Sequence, residues 1–536
     1  MSKLANYLQE HLRGGVISAP AIRDEYARDE SILALTPEMV VFPYNISDIR
    51  KLARFTWQLA EKGHILPITA RGNGTDTTGA AIGKGVSLVF PAHMNNILEL
   101  DTKQRLVRVQ PGLLCGSLQM AMMTHGYRIP ALEDAPRTMT IGGAIANNYA
   151  GGLSSRYGSM RDWVEQVEMV LANGEVIQTG RINKRELEKR KGLPTLEGEI
   201  YRQVDGIIMD NPEPISEMAN ALSNVGYALD QVKQRDGSFD LLPLVMGSQG
   251  TLGLVSEVIL RLDPFTPQAE LVVAAFSSLA EAHDALDELR KLQPSRVEML
   301  DGTALQLLQK QQPTQLVEII GEEVTEMPAA LYFIEFDDKH AGKKAKKVQK
   351  QLSRNGSSAL KIEEYDQRKV VWQFFYGAVA QFKTAEKEGR IGLPIMNDVG
   401  IPDDKFQTYL EGVAALGKKY RTAWPVVSHV LDGQFSMWPL FDLRKVNDRQ
   451  KALKLMDEYY TMTAALGGVV ATSGGEGRLH GLTATKQYSE GLFELFTQVR
   501  IAFDPYGTLN PGVKQAGSIK DTVAMLRSEY APRHIY

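Results

Sequence analysis

The amino-acid sequence predicts an α+β protein of two domains, and three observations lead to this fold class. Strand-like and helix-like segments are mixed from about residue 37 onward, with glycine-rich loops between them. A second stretch, in which strand and helix patterns alternate, begins near residue 268. Pro264 and Pro267 lie between the two stretches, and proline interrupts both kinds of regular element.

The first stretch is predicted to contain short apolar strands and amphipathic helices. Residues 39–42 favour a strand, and residues 46–62 space their apolar side chains as a helix does, with Ser47 as the N-cap. The apolar strand 65–70 runs directly into a glycine-rich loop. A helix ending at Gly126 follows three further predicted strands, which are 86–90, 97–100 and 105–111.

Residues 181–240 differ from what precedes them, because they are polar and carry a basic run between Lys184 and Lys191. We interpret them as a solvated helical insertion, and a docking surface for a partner is the alternative. The second stretch returns to regular patterns, and the sequence shows no internal repeat. Its predicted strands are 269–276, 295–300 and 330–337, and its predicted helices are 279–292 and 341–352.

Composition excludes several classes of protein. A net charge of −4 in 536 residues gives no indication of a nucleic-acid partner. Cys115 is the single cysteine, which excludes an intrachain disulfide and cysteine-ligated iron–sulfur or zinc centres. No apolar run approaches the roughly 20 residues that a membrane helix needs, and the first residues do not resemble a signal peptide. We therefore expect a cytoplasmic protein, and a peripheral position at a membrane stays open.

Two glycine-rich segments carry the strongest functional signal. Residues 71–79 read RGNGTDTTG directly after a strand, and residues 138–158 contain five glycines among Thr, Ser and Asn. Glycine lets backbone N–H groups approach an anion closely, and the hydroxyl and amide side chains add further donors. Together the segments suit a diphosphate that is bound mainly by uncharged groups. The first strand is not followed by GxGxxG, so a nicotinamide fingerprint is not indicated.

With these segments in this order, the sequence resembles the flavoprotein family typified by vanillyl-alcohol oxidase and p-cresol methylhydroxylase. Within that family it is most similar to the branch of D-lactate dehydrogenase and the glycolate oxidase flavin subunit. Four blocks within residues 36–515 carry the resemblance: RGNGTDTTGA, PRTMTIGGAIANNYAGGLSSRYGSMRDWVEQVEMVLANGEV, VMGSQGTLGLVSEVILRL and FDPYGTLNPGVK. The resemblance implies a two-subdomain FAD-binding domain and a ferredoxin-like α+β cap domain that holds the substrate.

The resemblance also implies a division of the chain. The expected parts are an N-terminal extension (1–35), the FAD-binding domain (36–265, with the insertion at about 181–240), the cap (266–490), a return to the FAD-binding domain (491–515) and a tail (516–536).

The family's FAD contacts map onto the glycine-rich blocks and the chain's last turn. The implied contacts are Arg71, Gly72, Asn73, Gly74, Thr75, Asp76, Thr140, Ile141, Gly142, Gly143, Asn147, Gly151, Gly152, Leu153, Gly250, Val255 and Asn510. Family members that attach FAD covalently use His or Cys at set places. No His lies between Arg71 and Ala92, and Cys115 fits a buried structural thiol better, so we expect non-covalent FAD.

The substrate side departs from the family pattern. The branch carries a metal-binding HxGDGNxH motif and a later SGEHG motif. Here His429 is retained, but Ser436 and Gly475 replace the other two ligands, and we therefore expect no bound metal. The family's Trp-x-x-Arg, which grips the substrate carboxylate, reads Trp372 to Phe375 and lacks its arginine. Arg390 and Arg478 are the arginines that we consider as substitutes.

Oxidation of an alcohol by a flavin requires delivery of a hydride and removal of the hydroxyl proton. His429, His480 and Glu476 are the candidates for the proton step, because histidine titrates near neutral pH. We expect an FAD-dependent oxidoreductase that acts on a CH–OH group, most simply that of a D-2-hydroxy acid. The alternatives are an aromatic alcohol or phenol as substrate, and a non-catalytic flavin-binding subunit of a larger complex. The electron acceptor is not indicated, and a homodimer stays open.

Overall fold

The computed structural model describes residues 3–218, 223–265, 269–321 and 326–532. These residues form helices and five β-sheets. The first sheet has the order β1-β2-β4-β3, in which β2, β3 and β4 are parallel. Its strands are β1 Gly15–Ile17, β2 Met39–Phe42, β3 Ile68–Arg71 and β4 Val86–Val89. The glycine-rich loop that follows β3 therefore begins at the carboxyl edge of parallel strands, where open α/β sheets bind ligands.

The N-terminal residues belong to this first sheet, although the sequence suggested a separate extension. Strand β1 pairs with β2, and Ala5, Leu8 and Leu12 are buried in the same apolar core as Leu52. Burial of these apolar side chains explains why the segment does not project from the domain. The first long helix also differs in one detail, because Asn45 rather than Ser47 caps it.

The second sheet is antiparallel and has the order β5-β6-β10-β8-β9. Its strands are β5 Ile97–Asp101, β6 Leu106–Val109, β8 Val164–Val170, β9 Val176–Gln178 and β10 Leu254–Arg261, and a ribbon of β7 Tyr127–Arg128 with β11 Asp263–Pro264 lies apart. The insertion at 181–240 is helical, as expected. It is not simply solvated, however, because Ile200, Tyr201 and Val204 are buried in the core of this sheet.

The cap contains an eight-stranded antiparallel sheet with the order β15-β12-β14-β13-β19-β20-β18-β22. The strands are β12 Glu270–Phe276, β13 Arg296–Asp301, β14 Ala330–Phe336, β15 Ser358–Ile362, β18 Met396–Gly400, β19 Val427–His429, β20 Gln434–Met437 and β22 Val469–Val470. A small sheet of β16 Glu386–Lys387, β17 Arg390–Gly392 and β21 Leu440–Phe441 flanks it.

The cap sheet consists of two ferredoxin-like units joined edge to edge. Each unit follows the chain order strand, helix, strand, strand, helix, strand, and in each the strands lie in the spatial order 4-1-3-2. Two additional helices, at 302–311 and 313–320, lie between the second and third strands of the first unit, and the short strand β21 follows the third strand of the second. The second strands of the two units, β13 and β19, pair at the junction. The ferredoxin-like cap is thus confirmed, and its topology is repeated although the sequence shows no repeat.

Helices cover the sheets and close the molecule. They are α1 Lys3–His11, α2 Pro20–Glu25, α3 Ile46–Glu61, α4 Cys115–Thr124, α5 Ile141–Ala146, α6 Ser154–Tyr157, α7 Met160–Trp163, α8 Lys184–Lys191, α9 Leu196–Asp210, α10 Pro212–Ser216, α11 Leu242–Val245, α12 Leu279–Leu292, α13 Gly302–Gln311, α14 Pro313–Ile320, α15 Ala341–Arg354, α16 Tyr365–Lys383, α17 Phe406–Tyr420, α18 Val446–Ala465, α19 Gly481–Ala484, α20 Glu490–Phe503 and α21 Ile519–Met525. After α20 the chain returns to the first sheet, where Leu509 bridges to Ile68. None of the described helices is long and apolar enough to span a membrane.

Candidate functional site

Two neighbouring cavities lie where the first two sheets meet the cap. The larger, of about 1020 Å³, is bounded by first-domain loops on one side and by α16 and the cap sheet on the other. The narrower, of about 90 Å³, lies between β3, the start of α5 and the segment 245–255. Asp76 and Asn147 line both cavities.

The narrow cavity is shaped by backbone that leaves no room for side chains. A Cβ atom on Gly72 would lie 2.2 Å from the Thr140 hydroxyl, and one on Gly142 would lie 3.0 Å from Pro111. Thr140 caps α5 by accepting the N–H of Gly143 at 3.1 Å. A cradle of glycine backbone fits the pyrophosphate of FAD, because the missing side chains let an anion approach the backbone closely there.

Three loops of the cradle are tied together by side chains. One carboxylate oxygen of Asp76 accepts from the N–H and hydroxyl of Thr78 at 2.8 Å and from the N–H of Ala80 at 2.9 Å. Its other oxygen accepts from Asn147 at 3.1 Å, and Asn147 in turn accepts from Gln249 at 2.8 Å. Asp76 therefore organises the loop instead of pointing freely at a ligand. Sequence reasoning missed Gln249, which no glycine or charge pattern marks.

The structure places most of the expected FAD contacts at these cavities. Those that line the narrow cavity are Arg71, Gly72, Asp76, Thr140, Gly142, Gly143, Asn147, Gly250 and Val255, and Thr75 lines the larger one. Ile141 and Leu153 are buried side chains instead. Asn510 is also buried, and it donates to the carbonyls of Ala80 and Gln249 at 2.9 and 2.8 Å. Asn510 thus braces the cradle from behind, and its expected contact with the flavin stays a prediction.

His429 and Glu298 form a close pair at the larger cavity. They are directly opposed residues of β19 and β13, and Nδ1 of His429 lies 2.6 Å from Oε2 of Glu298. Glu298 is almost fully buried, whereas His429 is half-buried and lines the cavity. Burial alone would lower the pKa of His429, but the carboxylates of Glu298, Asp134 and Asp432 outweigh it and raise that pKa to about 9.

A glycine loop of the first domain packs against this pair. A Cβ atom on Gly152 would lie 1.9 Å from Oε1 of Glu298 and 3.2 Å from Nδ1 of His429. The N–H of Gly152 donates to Asp134 at 2.5 Å, and Ser154 donates to Asp432 at the same distance. Gly152 therefore provides the space in which first-domain backbone and cap side chains meet, rather than a direct flavin contact.

The metal motif of the family is not rebuilt at its usual positions. Gly475 offers no ligand, and Gln249 fills the space beside it, since a Cβ there would lie 2.2 Å from the Gln249 amide nitrogen. His429 is nevertheless not the only side chain at this place that could bind a metal ion. Asp134, Glu298 and His429 each offer a donor atom within 4.8 Å of one another. The 2.6 Å separation of His429 and Glu298 is that of a short, charge-assisted hydrogen bond.

Trp372 lies in the larger cavity, as expected, within a cluster of aromatic and charged groups. Its indole N–H donates to Glu335 at 2.9 Å, and the guanidinium of Arg296 stacks 3.6 Å from the centre of its ring. Arg296 also pairs with Glu335 at 3.1 Å and donates to the Tyr376 hydroxyl at 2.6 Å. Phe375 stands where the family has its arginine, and it is buried among apolar side chains.

Two of the expected catalytic groups lie outside both cavities. Glu476 is buried and faces Lys514 at 3.9 Å, and burial raises its pKa although Lys514 opposes the rise. His480 is buried against the ring of Tyr460, and burial lowers its pKa to about 4. His480 was a candidate because histidine titrates near neutral pH, and Glu476 because it lies nearby in the chain, but the loop turns both side chains into the core.

The two substitute arginines are likewise engaged elsewhere. Arg478 is buried and donates to the carbonyls of Ile82 and Pro511 and to Asn510. Arg390 is exposed on β17, 3.4 Å from Asp448. Neither can grip a substrate in the larger cavity.

Comparisons with known proteins agree with this geometry. Residues 37–180 match the FAD binding domain model, and residues 266–513 match the model of FAD linked oxidases, C-terminal domain. D-2-hydroxyglutarate dehydrogenase of Pseudomonas putida is 28% identical over 93% of this chain and 50% of its own length. The chain thus spans about half the length of that relative. Glycolate oxidase subunit GlcD of Bacillus subtilis is 23% identical over 89% and 88%, and D-lactate dehydrogenase of Archaeoglobus fulgidus is 24% identical over 91% and 95%.

Solved structures show the same fold at low identity. A 4-ethylphenol oxidase from Gulosibacter chungangensis superposes with a TM-score of 0.68 at 15% identity, over 96% of this chain and 97% of that one. An alkyldihydroxyacetonephosphate synthase superposes with a TM-score of 0.65 at 14% identity, over 92% and 82%.

Proposed function

Because the chain belongs to the FAD-linked oxidase family, we propose that it is an FAD-dependent oxidoreductase that oxidises the CH–OH group of a small 2-hydroxy acid. The names of the three relatives above denote 2-hydroxy acids: D-2-hydroxyglutarate, glycolate and D-lactate. The 2-hydroxy acid group that these three names share supports the substrate class.

The observation that carries the proposal is the His429–Glu298 pair at the cavity wall. Oxidation of an alcohol needs a group that takes the hydroxyl proton, and a histidine held by a buried carboxylate suits that task. His429 lines the larger cavity, whereas Glu476 and His480 do not. The pair also faces the Gly152 loop, which continues from the cradle assigned to FAD.

In the proposed reaction, FAD and the side chains of His429 and Glu298 have separate roles. FAD, when bound, supplies the hydride acceptor. The imidazole of His429 accepts the hydroxyl proton through Nε2, because its Nδ1 is engaged by Glu298. Glu298 fixes the orientation of the ring and stabilises the imidazolium that forms. The half-buried position keeps the proton acceptor away from bulk water while leaving it within reach of the cavity.

We further propose that FAD is held without a covalent bond. Cys115, the one cysteine, lies in the core with 1% of its surface exposed, and this burial raises the pKa of its thiol to about 12. A neutral, enclosed thiol is a poor nucleophile for attachment. Precipitating the yellow protein with acid should leave all flavin absorbance in the supernatant, and flavin that stays with the pellet would contradict this assignment.

An aromatic alcohol is the second candidate substrate, because aromatic side chains form much of the cavity wall. Tyr149, Trp372, Phe375 and Trp438 all line it. Such walls bind a ring or another bulky apolar group by stacking and burial.

The test is anaerobic mixing of the FAD-loaded protein with D- and L-2-hydroxy acids and with benzylic and phenolic alcohols. Loss of flavin absorbance with a 2-hydroxy acid supports the first candidate, and loss with an aromatic alcohol alone supports the second. If no compound in either class reduces the flavin, both candidates fail, and the non-catalytic flavin-binding subunit becomes the better explanation.

A further inference from the structure

We propose that the Tyr376 hydroxyl, backed by Arg296, is the donor that binds the substrate's carboxylate. This inference rests on the proposed function for its substrate class. Tyr376 was not among the residues that the sequence indicated.

The position of Tyr376 on α16 separates it from its neighbour. Phe375 is 2% exposed and packs against Phe333 and Trp372, whereas Tyr376 is 38% exposed and lines the larger cavity. Successive helix residues point about 100° apart, so one of the two enters the core while the other faces the cavity. The side chain of Tyr376 therefore presents its hydroxyl to the cavity.

The hydrogen bond with Arg296 fixes the direction of that hydroxyl's proton. A guanidinium can only donate, so the Tyr376 oxygen accepts from Nη1 of Arg296 at 2.6 Å. Among the described residues, the hydroxyl makes no other hydrogen bond in the structure. Its own proton is thus left to be donated toward a ligand. A tyrosine hydroxyl ordinarily titrates near about 10, so this proton is present at neutral pH.

Arg296 is held rigidly behind the tyrosine. It is nearly buried, pairs with Glu335 at 3.1 Å and stacks 3.6 Å from the ring centre of Trp372, which itself donates to Glu335. A cation fixed behind a phenol oxygen polarises the O–H bond and strengthens its hydrogen bond to an anion. Arg296 therefore acts as a positioning residue for Tyr376.

Side chains of both charges line the cavity around the hydroxyl. Glu335 neutralises Arg296 and Asp134 borders the same space, whereas Arg137, Lys369 and Lys383 also line the cavity. Lys383 lies 5.5 Å from the ring centre of Trp438. The hydroxyl therefore contributes a directed hydrogen bond to the ligand's carboxylate rather than a net positive charge.

The test measures binding of two redox-inert acids to the FAD-loaded enzyme by calorimetry and by the change in flavin absorbance. The probes are 3-phenylpropanoate, a monocarboxylate, and glutarate, a dicarboxylate. We expect Tyr376→Phe to weaken the binding of both acids about tenfold or more, because a hydrogen bond to an anion is lost. Tyr44→Phe is the matched control, since Tyr44 is 40% exposed beside Arg13 but lies away from both cavities.

Each outcome decides a separate part of the inference. Unchanged binding of 3-phenylpropanoate by Tyr376→Phe, with flavin absorbance and melting temperature as in the wild type, overturns the anchor. If Tyr376-dependent binding is found but no 2-hydroxy acid reduces the flavin, the proposed function fails while the anchor stands.

Discussion

Glu298 and His429 lie directly opposite each other on β13 and β19, the strands at which the two ferredoxin-like units of the cap join, and their side chains meet at 2.6 Å. They are 131 residues apart in the chain. The junction of the two units therefore brings a buried carboxylate to an imidazole at the wall of the cavity. This pair accounts for both the chemistry and the pH dependence that we expect.

Replacing His429 by Gln should slow reduction of the flavin by substrate by about a hundredfold or more, because general base catalysis contributes roughly 10²–10⁴. Rapid-mixing absorbance under anaerobic conditions measures this rate. FAD affinity should be unchanged, since the cradle lies on other loops. His125→Gln, at an exposed site at the end of α4, is the control and should behave as the wild type. A fast His429→Gln enzyme would remove this residue from the mechanism.

The rate of flavin reduction should rise with pH and level off above about 9. His429 accepts a proton only when it is neutral, and its pKa is raised to about 9, so activity is lost as pH falls below that value. Glu298→Gln removes the main carboxylate that raises this pKa, and it should shift the midpoint toward lower pH. Glu257→Gln, in the second sheet, should leave the midpoint in place. An unmoved midpoint in Glu298→Gln would mean that another group titrates.

The cradle was predictable from the sequence because its chemistry is local. Closely spaced glycines after a strand dictate a backbone that can approach an anion, whatever the rest of the chain does. Gly72 and Gly142 lie at the narrow cavity for that reason. The cap's ferredoxin-like units were likewise indicated by strand and helix patterns.

The catalytic wall was only partly predictable, because it depends on contacts between distant segments. His429 was found through its motif, whereas Glu298 lies in the buried strand RVEMLD, where no motif marks it. His480 was chosen for its residue type and Glu476 for its place in the chain, and neither property shows the side to which a loop turns a side chain. A glutamate inside an otherwise apolar strand was the one available signal, since an unpaired buried carboxylate is costly.

Gly152→Ala should impair the enzyme without removing FAD from the cradle. The added methyl would lie 1.9 Å from Oε1 of Glu298, so the loop or the carboxylate must move, at a cost of about 1–3 kcal/mol in the free energy of unfolding. We expect a lower melting temperature and slower flavin reduction. Gly206→Ala is the control, because nothing lies within 4 Å of its added methyl in α9, and it should be neutral or slightly stabilising. Wild-type behaviour of Gly152→Ala would mean that the contact is loose.

Asp76→Asn should weaken FAD binding about tenfold or more. The carboxylate accepts four hydrogen bonds that order loop 72–80 and tie it to Asn147, and an amide cannot accept all of them. The dissociation constant can be measured by adding FAD to the apoprotein and following quenching of flavin fluorescence. Asp101→Asn is the matched control, because Asp101 also orders a turn by accepting backbone N–H groups, but at an exposed hairpin. Equal FAD affinity in Asp76→Asn and the wild type would contradict the organising role.

Removal of metal ions should leave the enzyme's activity intact. Zinc, manganese or iron sites of this type need about three protein ligands. The family positions Ser436 and Gly475 supply none, and in the set of Asp134, Glu298 and His429 the last two already form a hydrogen bond of 2.6 Å with each other. We therefore expect elemental analysis to find no stoichiometric metal and flavin reduction to survive dialysis against EDTA. One equivalent of metal, lost together with activity both on chelation and in Glu298→Gln, would instead make these three residues a ligand set and His429 a ligand rather than the proton acceptor.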